Sequence, residues 1–256
     1  MSWNGFKKAV SRATTTVMQS TGQVDKTVDP QFDAESARFH KLEQQTEQLY
    51  TESRGYLDAV RAMTLAQQRI AETLEAFYEE GSEGSRSGRA YKTAVERLDA
   101  DIRLNLDPTY RETVLDPIGK LLATFPHFNE ALKKRSKKQL DYDRTRTTVR
   151  KLIEKPSDDP TRLPRAEAEA RAAQDVYERL NAQLLTEIPK LVDMRVGYME
   201  PCFEALVKSQ ALYAETALRE VNDIARYFPE ASPAGQEGAV ESVLDQIKGL
   251  AICAHV

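Results

Sequence analysis

Residues 39–77 read FHKLEQQTEQLYTESRGYLDAVRAMTLAQQRIAETLEAF, and apolar side chains recur in this stretch at heptad spacing. One seam of the heptad is wholly apolar and the other is mixed. A heptad sustained for this length is typical of a long coiled-coil helix, and we expect the wholly apolar seam to face the core and a dimer partner. That seam consists of Leu42, Leu49, Tyr56, Met63, Ile70 and Phe77. The mixed seam consists of Phe39, Thr46, Ser53, Val60, Gln67 and Leu74.

Proline and glycine divide the chain into three long stretches, roughly Gln31–Glu80, Arg89–Lys155 and Arg165–Phe228. They are separated by the turn-rich segments GSEGSRSG, residues 81–88, and PSDDPTRLP, residues 156–164. No short alternating run bounded by turn signals indicates a β-strand. The sequence therefore predicts an all-α protein with three long helices in an antiparallel coiled-coil bundle. A bundle this thin leaves apolar area along its flank, which favours dimerisation.

Four prolines lie inside the second and third predicted helices, at Pro117, Pro126, Pro189 and Pro201. Each proline removes one backbone hydrogen-bond donor and crowds the preceding helical turn. We therefore expect both helices to kink and the bundle to form a curved rod.

The second long stretch concentrates positive charge between Ala131 and Lys155, although the whole chain has a net charge of −4. At about 100° per residue, several of its cations project within about 40° of one another. These cations are Lys133, Lys137, Arg144, Lys151 and Lys155. The opposite side carries Phe128, Ala131, Tyr142, Val149 and Ile153. Such a stripe indicates an anionic partner, and the alternative is a solvated helix face.

The segment before the first long helix, Met1–Gly22, contains basic residues but no acidic one. Its apolar residues, Trp3, Phe6, Val10, Ala13 and Val17, project to one side. Lys8, Arg12 and Thr15 project to the opposite side. This pattern predicts an amphipathic cationic helix that gains helicity on a surface accepting its apolar face. The alternatives are a helix docked on the protein's own core and a disordered tail.

The bulk composition fits one large domain, because 41% of the 256 residues are hydrophobic. No apolar run reaches the roughly 18 residues that span a bilayer, and the N-terminus lacks the features of a signal peptide. Cys202 and Cys253 are too few for a disulfide framework. We expect a soluble cytoplasmic protein with an amphipathic helix in 1–24, the helical bundle in 25–230, and a linker with a short closing helix in 231–256.

Residue constellations typical of catalysis are missing from the sequence. His40, His127 and His255 are scattered, and none has a metal-ligating partner four residues on. The glycines of GSEGSRSG are not followed by the Lys-Ser/Thr pair of a phosphate-binding loop. Asp141 and Asp143 are close in sequence, but nothing predicts the burial that would tune them as acid and base. We therefore expect no enzyme activity, no metal and no cofactor.

A nucleic-acid partner is not expected either. Nucleic-acid binding calls for a basic domain or for aromatic residues interleaved with the charge. The isoelectric point is about 5.6, and Tyr142, the aromatic residue of the basic stretch, is predicted to point toward the core.

Two blocks of the sequence resemble a known family. They are DPIGKLLATFPHFNEALKKRSKKQLDYDRTR, residues 116–146, and LPRAEAEARAAQDVYERLNAQLLTEIPKLVDMRVGYMEPCFEAL, residues 163–206. Both resemble the BAR domain of the amphiphysin and bridging-integrator family, and Leu140–Asp143 and Glu187–Pro189 are its more specific signatures. Residues 3–22 resemble the amphipathic leading helix that defines an N-BAR domain.

We expect neither the long linker nor the SH3 domain of amphiphysins, and on that expectation the sequence is most similar to the short BAR-only members, such as the fungal reduced-viability-upon-starvation type. The resemblance implies a crescent-shaped dimer that binds and bends anionic phospholipid membranes in endocytosis and organises cortical actin. It further implies a homodimer or a heterodimer with a longer SH3-containing relative, and roles in polarity and cytokinesis through small-GTPase regulators. The location it implies is peripheral, at the plasma membrane and cortical actin patches.

The resemblance also implies which residues meet the membrane. It assigns membrane contact to Lys133, Lys137, Arg144, Arg150, Lys151, Lys155, Arg162 and Arg165. It assigns insertion to Trp3, Phe6, Lys7, Lys8, Val10 and Arg12. Arg135 and Arg146 project near the apolar side, and we expect them to form structural pairs. Asp158 and Asp159 dilute the positive charge between the last two helices.

Two hypotheses follow from these features. The first is a membrane-curving scaffold, which the basic stripe and the leading helix favour. The second is an adaptor whose helices chiefly bind proteins, such as an SH3-bearing partner, actin regulators or a GTPase exchange factor, with membrane contact secondary.

Overall fold

The computed structural model describes residues 3–228, 238–250 and 252, and the regular structure within them is helical. The expectation of an all-α protein is confirmed. The α-helices are α1 (Trp3–Ser20), α2 (Pro30–Phe77), α3 (Glu83–Asp101), α4 (Asp107–Tyr110), α5 (Asp116–Leu122), α6 (Phe125–Glu154), α7 (Arg162–Ile224) and α8 (Ala239–Lys248). None of these helices is both long and apolar enough to cross a bilayer.

The second predicted helix is divided into segments rather than simply kinked. Wider π-helical turns at Ile102–Leu106 and Arg111–Leu115 separate α3, α4 and α5. Pro108 and Pro117 follow these turns, and the carbonyl groups that their rings would crowd, four residues earlier, lie within the turns. Pro126 stands in the first turn of α6, where its missing N–H needs no partner.

The third predicted helix is continuous, since α7 runs for 63 residues through Pro189 and Pro201.

The turn before α3 contains residues that favour a turn and the start of a helix. Gly81 has a φ of 86°, a left-handed conformation that favours glycine. The next residue, Ser82, caps α3, and its hydroxyl accepts a hydrogen bond of 3.1 Å from the Ser85 N–H. Only the first two residues of GSEGSRSG therefore belong to the connection between helices, and the prediction for the rest is wrong, because α3 begins at Glu83 directly after its cap.

The chain forms two compact units. The first consists of residues 1–51 and 116–202, and the second of residues 52–115 and 203–256. The core of the first unit contains aromatic and aliphatic residues from α2, α5, α6 and α7. They are Phe32, Phe39, Leu42, Leu121, Phe125, Leu132, Leu184, Ile188 and Val192. Phe39 is the centre of this core, because its ring meets the Phe125 ring edge-on at 5.8 Å and stacks on Phe128 at 5.5 Å.

The second unit has an aliphatic core cluster and a buried tyrosine. Val60, Leu98, Ile102 and Leu106 form its centre. The Tyr110 side chain is buried nearby, and its hydroxyl donates a hydrogen bond of 3.0 Å to the Ser53 carbonyl oxygen. The buried hydroxyl therefore keeps a partner, and its burial does not leave a polar group unsatisfied.

The wholly apolar seam of α2 enters the chain's own core only in part. Leu42 is buried and Tyr56 is half-buried, whereas Leu49, Met63, Ile70 and Phe77 are exposed. Toward the end of α2 the buried positions come one residue later, at Leu57, Thr64 and Ala71. The reason is that an α-helix has 3.6 residues per turn, so a strict heptad drifts by about 20° per repeat. Part of the seam is thereby left on the surface.

Candidate membrane interface

The leading helix α1 is attached to α6 by an ion pair. The Arg12 guanidinium donates two hydrogen bonds to the Asp141 carboxylate, from Nε at 2.9 Å and from Nη2 at 2.7 Å. Both side chains are about one-fifth exposed. The hydrogen bond to Asp141 outweighs the opposing effect of burial and raises the pKa of Arg12. This two-point contact fixes both the position and the rotation of α1.

Asp143, two residues further along α6, holds the end of α1 and the segment that follows it. Its carboxylate is buried and accepts a hydrogen bond of 2.8 Å from the Gln19 side chain. It also accepts hydrogen bonds from the Thr27 N–H at 3.2 Å and from the Thr27 hydroxyl. Arg146 lies 3.3 Å from the same carboxylate. The segment between α1 and α2 is therefore tied to α6.

Asp29 joins the start of α2 to the same region. Its carboxylate accepts hydrogen bonds from the Phe32 N–H at 3.0 Å and from the Asn181 side chain at 2.7 Å. Arg135 lies 3.4 Å away. Burial acts to raise the pKa of Asp29, but the hydrogen bonds from Phe32, Asn181 and Arg135 outweigh it and hold that pKa below its ordinary value.

Arg135 is buried, and its guanidinium has hydrogen-bond partners on several sides. Its guanidinium donates to Asn181 at 2.8 Å, to Gln139 at 2.7 Å and to the Tyr177 hydroxyl at 2.9 Å. It also lies over the Phe32 ring, 3.6 Å from the ring centre. Arg135 and Arg146 thus form the structural pairs that the sequence predicts, and they lie outside the exposed basic surface.

These contacts give the signature Leu140–Asp143 a structural role that the sequence analysis missed. Asp141 binds α1, and Asp143 binds the segment that follows α1. The signal was present in the sequence: two carboxylates at alternate positions of a basic helix, and an N-terminal segment with cations but no acidic residue. Their burial could not be read from the local sequence, because the partners are more than 100 residues away.

The docked helix α1 places its polar side on α6 and its apolar side outward. Thr15 is buried, whereas Trp3, Val10 and Val17 are 71%, 50% and 63% exposed. Their spacing of seven residues places them in one stripe along α1. Of the alternatives for this segment, the structure has the docked helix, but it docks by its polar face rather than its apolar one. The Phe6 side chain lies outside the described part of the chain.

The cations predicted to contact the membrane are all exposed. They are Lys133, Lys137, Arg144, Arg150, Lys151, Lys155, Arg162 and Arg165. Arg150 pairs with Asp25 and Glu154. The others form no ion pair among the described residues. Tyr142, predicted on the opposite side, is half-buried and stacks on Tyr177 with ring centres 5.8 Å apart.

Asp158 and Asp159, the two acidic residues between α6 and α7, differ in their contacts. The Asp159 carboxylate accepts hydrogen bonds from the Thr161 N–H at 2.9 Å and from the Thr161 hydroxyl at 2.8 Å. These two hydrogen bonds lower the pKa of Asp159, so the carboxylate keeps its charge while it shapes the turn that begins α7. Asp158 is exposed. The turn thus contains negative charge close to Lys155 and Arg162.

The described residues contain no group of histidine, cysteine, aspartate and glutamate side chains that could hold a metal ion. His40 lies 3.3 Å from Glu43 on the exposed side of α2, which makes their contact a surface pair. Cys202 is a buried free thiol. Cys253 and His255 lie outside the described residues.

The sequence matches the family model of the BAR domain over residues 6–228. The chain therefore belongs to the BAR domain family, and the resemblance to that family is confirmed. The match is not confined to the signatures Leu140–Asp143 and Glu187–Pro189, because it spans both compact units.

Within the family, the chain is similar to fungal proteins along nearly its whole length. It is 46% identical to Protein hob3 of Schizosaccharomyces pombe, with 98% of this chain and 97% of that protein covered. It is 40% identical to the Regulator of cytoskeleton and endocytosis RVS161 of Candida albicans, with 98% of each covered. The solved amphiphysin BAR domain from Drosophila has the same fold, with a TM-score of 0.63, 19% identity, and coverage of 87% of this chain and 94% of that one.

Proposed function

We propose that this protein is a non-enzymatic scaffold that binds anionic phospholipid bilayers and curves them. The observation that carries the proposal is the arrangement of the first unit. Exposed cations without ion-pair partners among the described residues occur on the same unit as α1, whose apolar stripe faces outward. Cations attract an anionic leaflet, and an apolar stripe enters the boundary between headgroups and acyl chains.

The magnitudes are adequate for reversible binding. Each basic residue near an anionic leaflet contributes about 1 kcal/mol, so the row of unpaired cations supplies on the order of several kcal/mol per chain. Salt reduces this contribution, because the Debye length is about 8 Å at physiological ionic strength. Insertion of Trp3, Phe6 and Val10 would add an apolar contribution that salt does not screen.

Charge reversal tests the electrostatic part of the proposal. The variant Lys133→Glu/Lys137→Glu/Lys151→Glu should lose sedimentation with phosphatidylserine vesicles. A matched control, Arg54→Glu/Arg86→Glu/Lys208→Glu, makes the same change in net charge at exposed positions of the second unit. The control should keep its binding. Undiminished binding by the first variant would overturn the proposal.

We further propose that the second unit pairs with another BAR chain, either a second copy or a longer SH3-containing relative. The support is the number of large apolar side chains that it leaves on the surface. Met63, Ile70, Phe77, Phe203 and Leu218 are between 45% and 78% exposed. Apolar surface on this scale marks an interaction site. Two paired chains would also double the number of cations facing one membrane.

We place the protein in the cytoplasm, peripheral to the plasma membrane and to cortical actin patches, in endocytosis, actin organisation, polarity and cytokinesis. The support is the likeness to a relative named as a regulator of cytoskeleton and endocytosis. The competing role is an adaptor for actin-regulatory proteins or small-GTPase regulators. Partners recovered from cell extract equally well by the charge-reversed variant would favour the adaptor. Their loss together with membrane binding would favour the scaffold.

A further inference from the structure

A cleft of about 500 Å³ lies where α1, α6 and α7 meet in the first unit. Its basic lining comes from two separate parts of the chain: Lys7 and Lys8 from α1, and Arg144 from α6. Ala172 and Ala173 of α7 line the other side. Because alanine side chains are short, the space between the cations is not filled by the protein.

The charge balance of this cleft favours an anion. Lys7, Lys8 and Arg144 form no ion pair among the described residues, although Lys7 also lies 5.4 Å from the centre of the Trp3 ring. Two carboxylates line the cleft, but Asp141 is paired with Arg12, and Lys138 lies 3.9 Å from it. Glu169 is thus the one carboxylate of the lining without an ion pair among the described residues.

Three cations around one small space match a multiply charged anion. Lysine ammonium groups act as point charges, and the arginine guanidinium can donate two parallel hydrogen bonds to phosphate oxygens. A phosphate monoester carries close to two negative charges at neutral pH, whereas the phosphodiester of a simple phospholipid carries one. The monoester therefore suits this lining better.

We propose that the cleft binds one phosphate-monoester group, as on a phosphorylated inositol headgroup, and is complete only while α1 is docked through Arg12 and Asp141. The proposal rests on the proposed membrane function and specifies the lipid class. Lys8 is one turn before Arg12 on α1, so the ion pair sets where Lys8 lies. Release of α1 would separate Lys7 and Lys8 from Arg144.

The dependence of the cleft on docked α1 gives a test in which two effects change the anion affinity in opposite directions. Asp141→Asn removes a negative charge from the lining, and electrostatics alone would strengthen anion binding. If the cleft depends on docked α1, the same substitution weakens binding because it breaks the contact with Arg12. The exchanged pair Arg12→Asp/Asp141→Arg should restore docking and recover much of the affinity.

The experiment uses the full chain and soluble inositol trisphosphate, with affinity measured by isothermal titration calorimetry. Lys8→Gln and Arg144→Gln should each weaken binding about tenfold, as expected for one charge-assisted contact. Lys120→Gln/Lys134→Gln, at exposed positions of the same unit that neither line the cleft nor belong to the predicted membrane contacts, is the matched control and should bind as the unaltered chain does. Circular dichroism checks that each variant is folded. Binding lost equally in the control, or strengthened by Asp141→Asn, would overturn the proposal.

Further arms identify the source of the phosphate. Inorganic phosphate should bind far more weakly than inositol trisphosphate, and equal affinity would overturn the assignment to a lipid headgroup. Vesicles with a phosphorylated inositol lipid should be preferred over phosphatidylserine vesicles of equal surface charge, and the preference should vanish in Arg144→Gln. Normal binding to phosphatidylserine vesicles without any headgroup affinity would overturn this inference alone and leave the proposed scaffold function standing.

Discussion

Arg12 and Asp141 are 129 residues apart in the sequence, yet their side chains form a two-point ion pair that joins α1 to α6. Neither residue lies in the core of the first unit. The pair nevertheless sets which side of α1 faces outward, because Thr15 and Gln19 follow Arg12 on the docked side. The orientation of the leading helix is thus encoded by polar contacts.

We expect Arg12→Ala and Asp141→Ala each to loosen α1 without unfolding the rest of the chain. In a double-mutant cycle, the coupling free energy between the two side chains should be about 1 kcal/mol, as for a partly exposed pair. Hydrogen exchange of the amides of α1 should become faster in both single variants. Thr16→Ala, on an exposed position of α1, is the control. Unchanged exchange in α1 of the Arg12 and Asp141 variants would contradict this prediction.

Asp143→Ala should cost more stability than Asp141→Ala. Asp143 is buried and accepts hydrogen bonds from Gln19 and Thr27, so its loss leaves several donors unpaired. We expect a decrease of about 2 kcal/mol in the free energy of unfolding, measured by denaturant titration. Thr27→Val, which removes only one of these donors, should have a smaller effect. Equal stability of Asp143→Ala and the unaltered chain would show that these contacts do not stabilise the fold.

The stability of the first unit should fall at acidic pH because of Asp29. Its pKa in the folded state is held below the ordinary 3.8. The stabilisation from Asp29 is therefore complete above pH 3.8 and is lost as the pH falls through the folded-state pKa. Asp29→Asn should be less stable than the unaltered chain at neutral pH, and the difference should shrink below pH 3.8. Free energies of unfolding over a pH series provide the measurement, and a pH-independent difference would refute the prediction.

Phe203→Asp should convert the paired chain into single chains. Phe203 is 68% exposed on the second unit, where a charged side chain would disfavour apolar contact with a partner. Mass measured by light scattering should fall by half. Met194→Asp, 64% exposed on the first unit, is the matched control and should keep the mass of the pair. A mass that does not change in Phe203→Asp would place the pairing surface elsewhere.

The long helices could be predicted from residues 39–77, because a sustained heptad needs only local information. The buried side of α2 could be predicted less well. Leu42 lies in the core, but Met63 and Ile70 are displaced from it, and Thr64 and Ala71 are buried instead. A fixed heptad does not match the 3.6 residues per turn of an α-helix, and the error grows with distance from the first repeat.

The exposure of the cations on the candidate membrane surface could be predicted from the sequence, whereas the attachment of α1 to α6 could not. Lys133 and Lys151 face solvent, as their helical positions indicate. The docked state of α1 depends on Asp141 and Asp143, whose partners are remote in sequence. Helical periodicity identifies the two sides of α1 but does not say which side meets the protein.

The outward stripe on α1 changes the thermodynamics of membrane association. Ordering a backbone costs about 1–2 kcal/mol per residue, a large sum for the 18 residues of α1. Here α1 is already helical and is held to α6 by its contacts to Asp141 and Asp143, so it is ordered before any bilayer is met. The apolar contacts of Trp3 and Val10 would then count almost entirely toward affinity for the bilayer instead of toward folding the helix. Association should accordingly show little gain in helicity, unlike that of a peptide that folds only on a lipid surface.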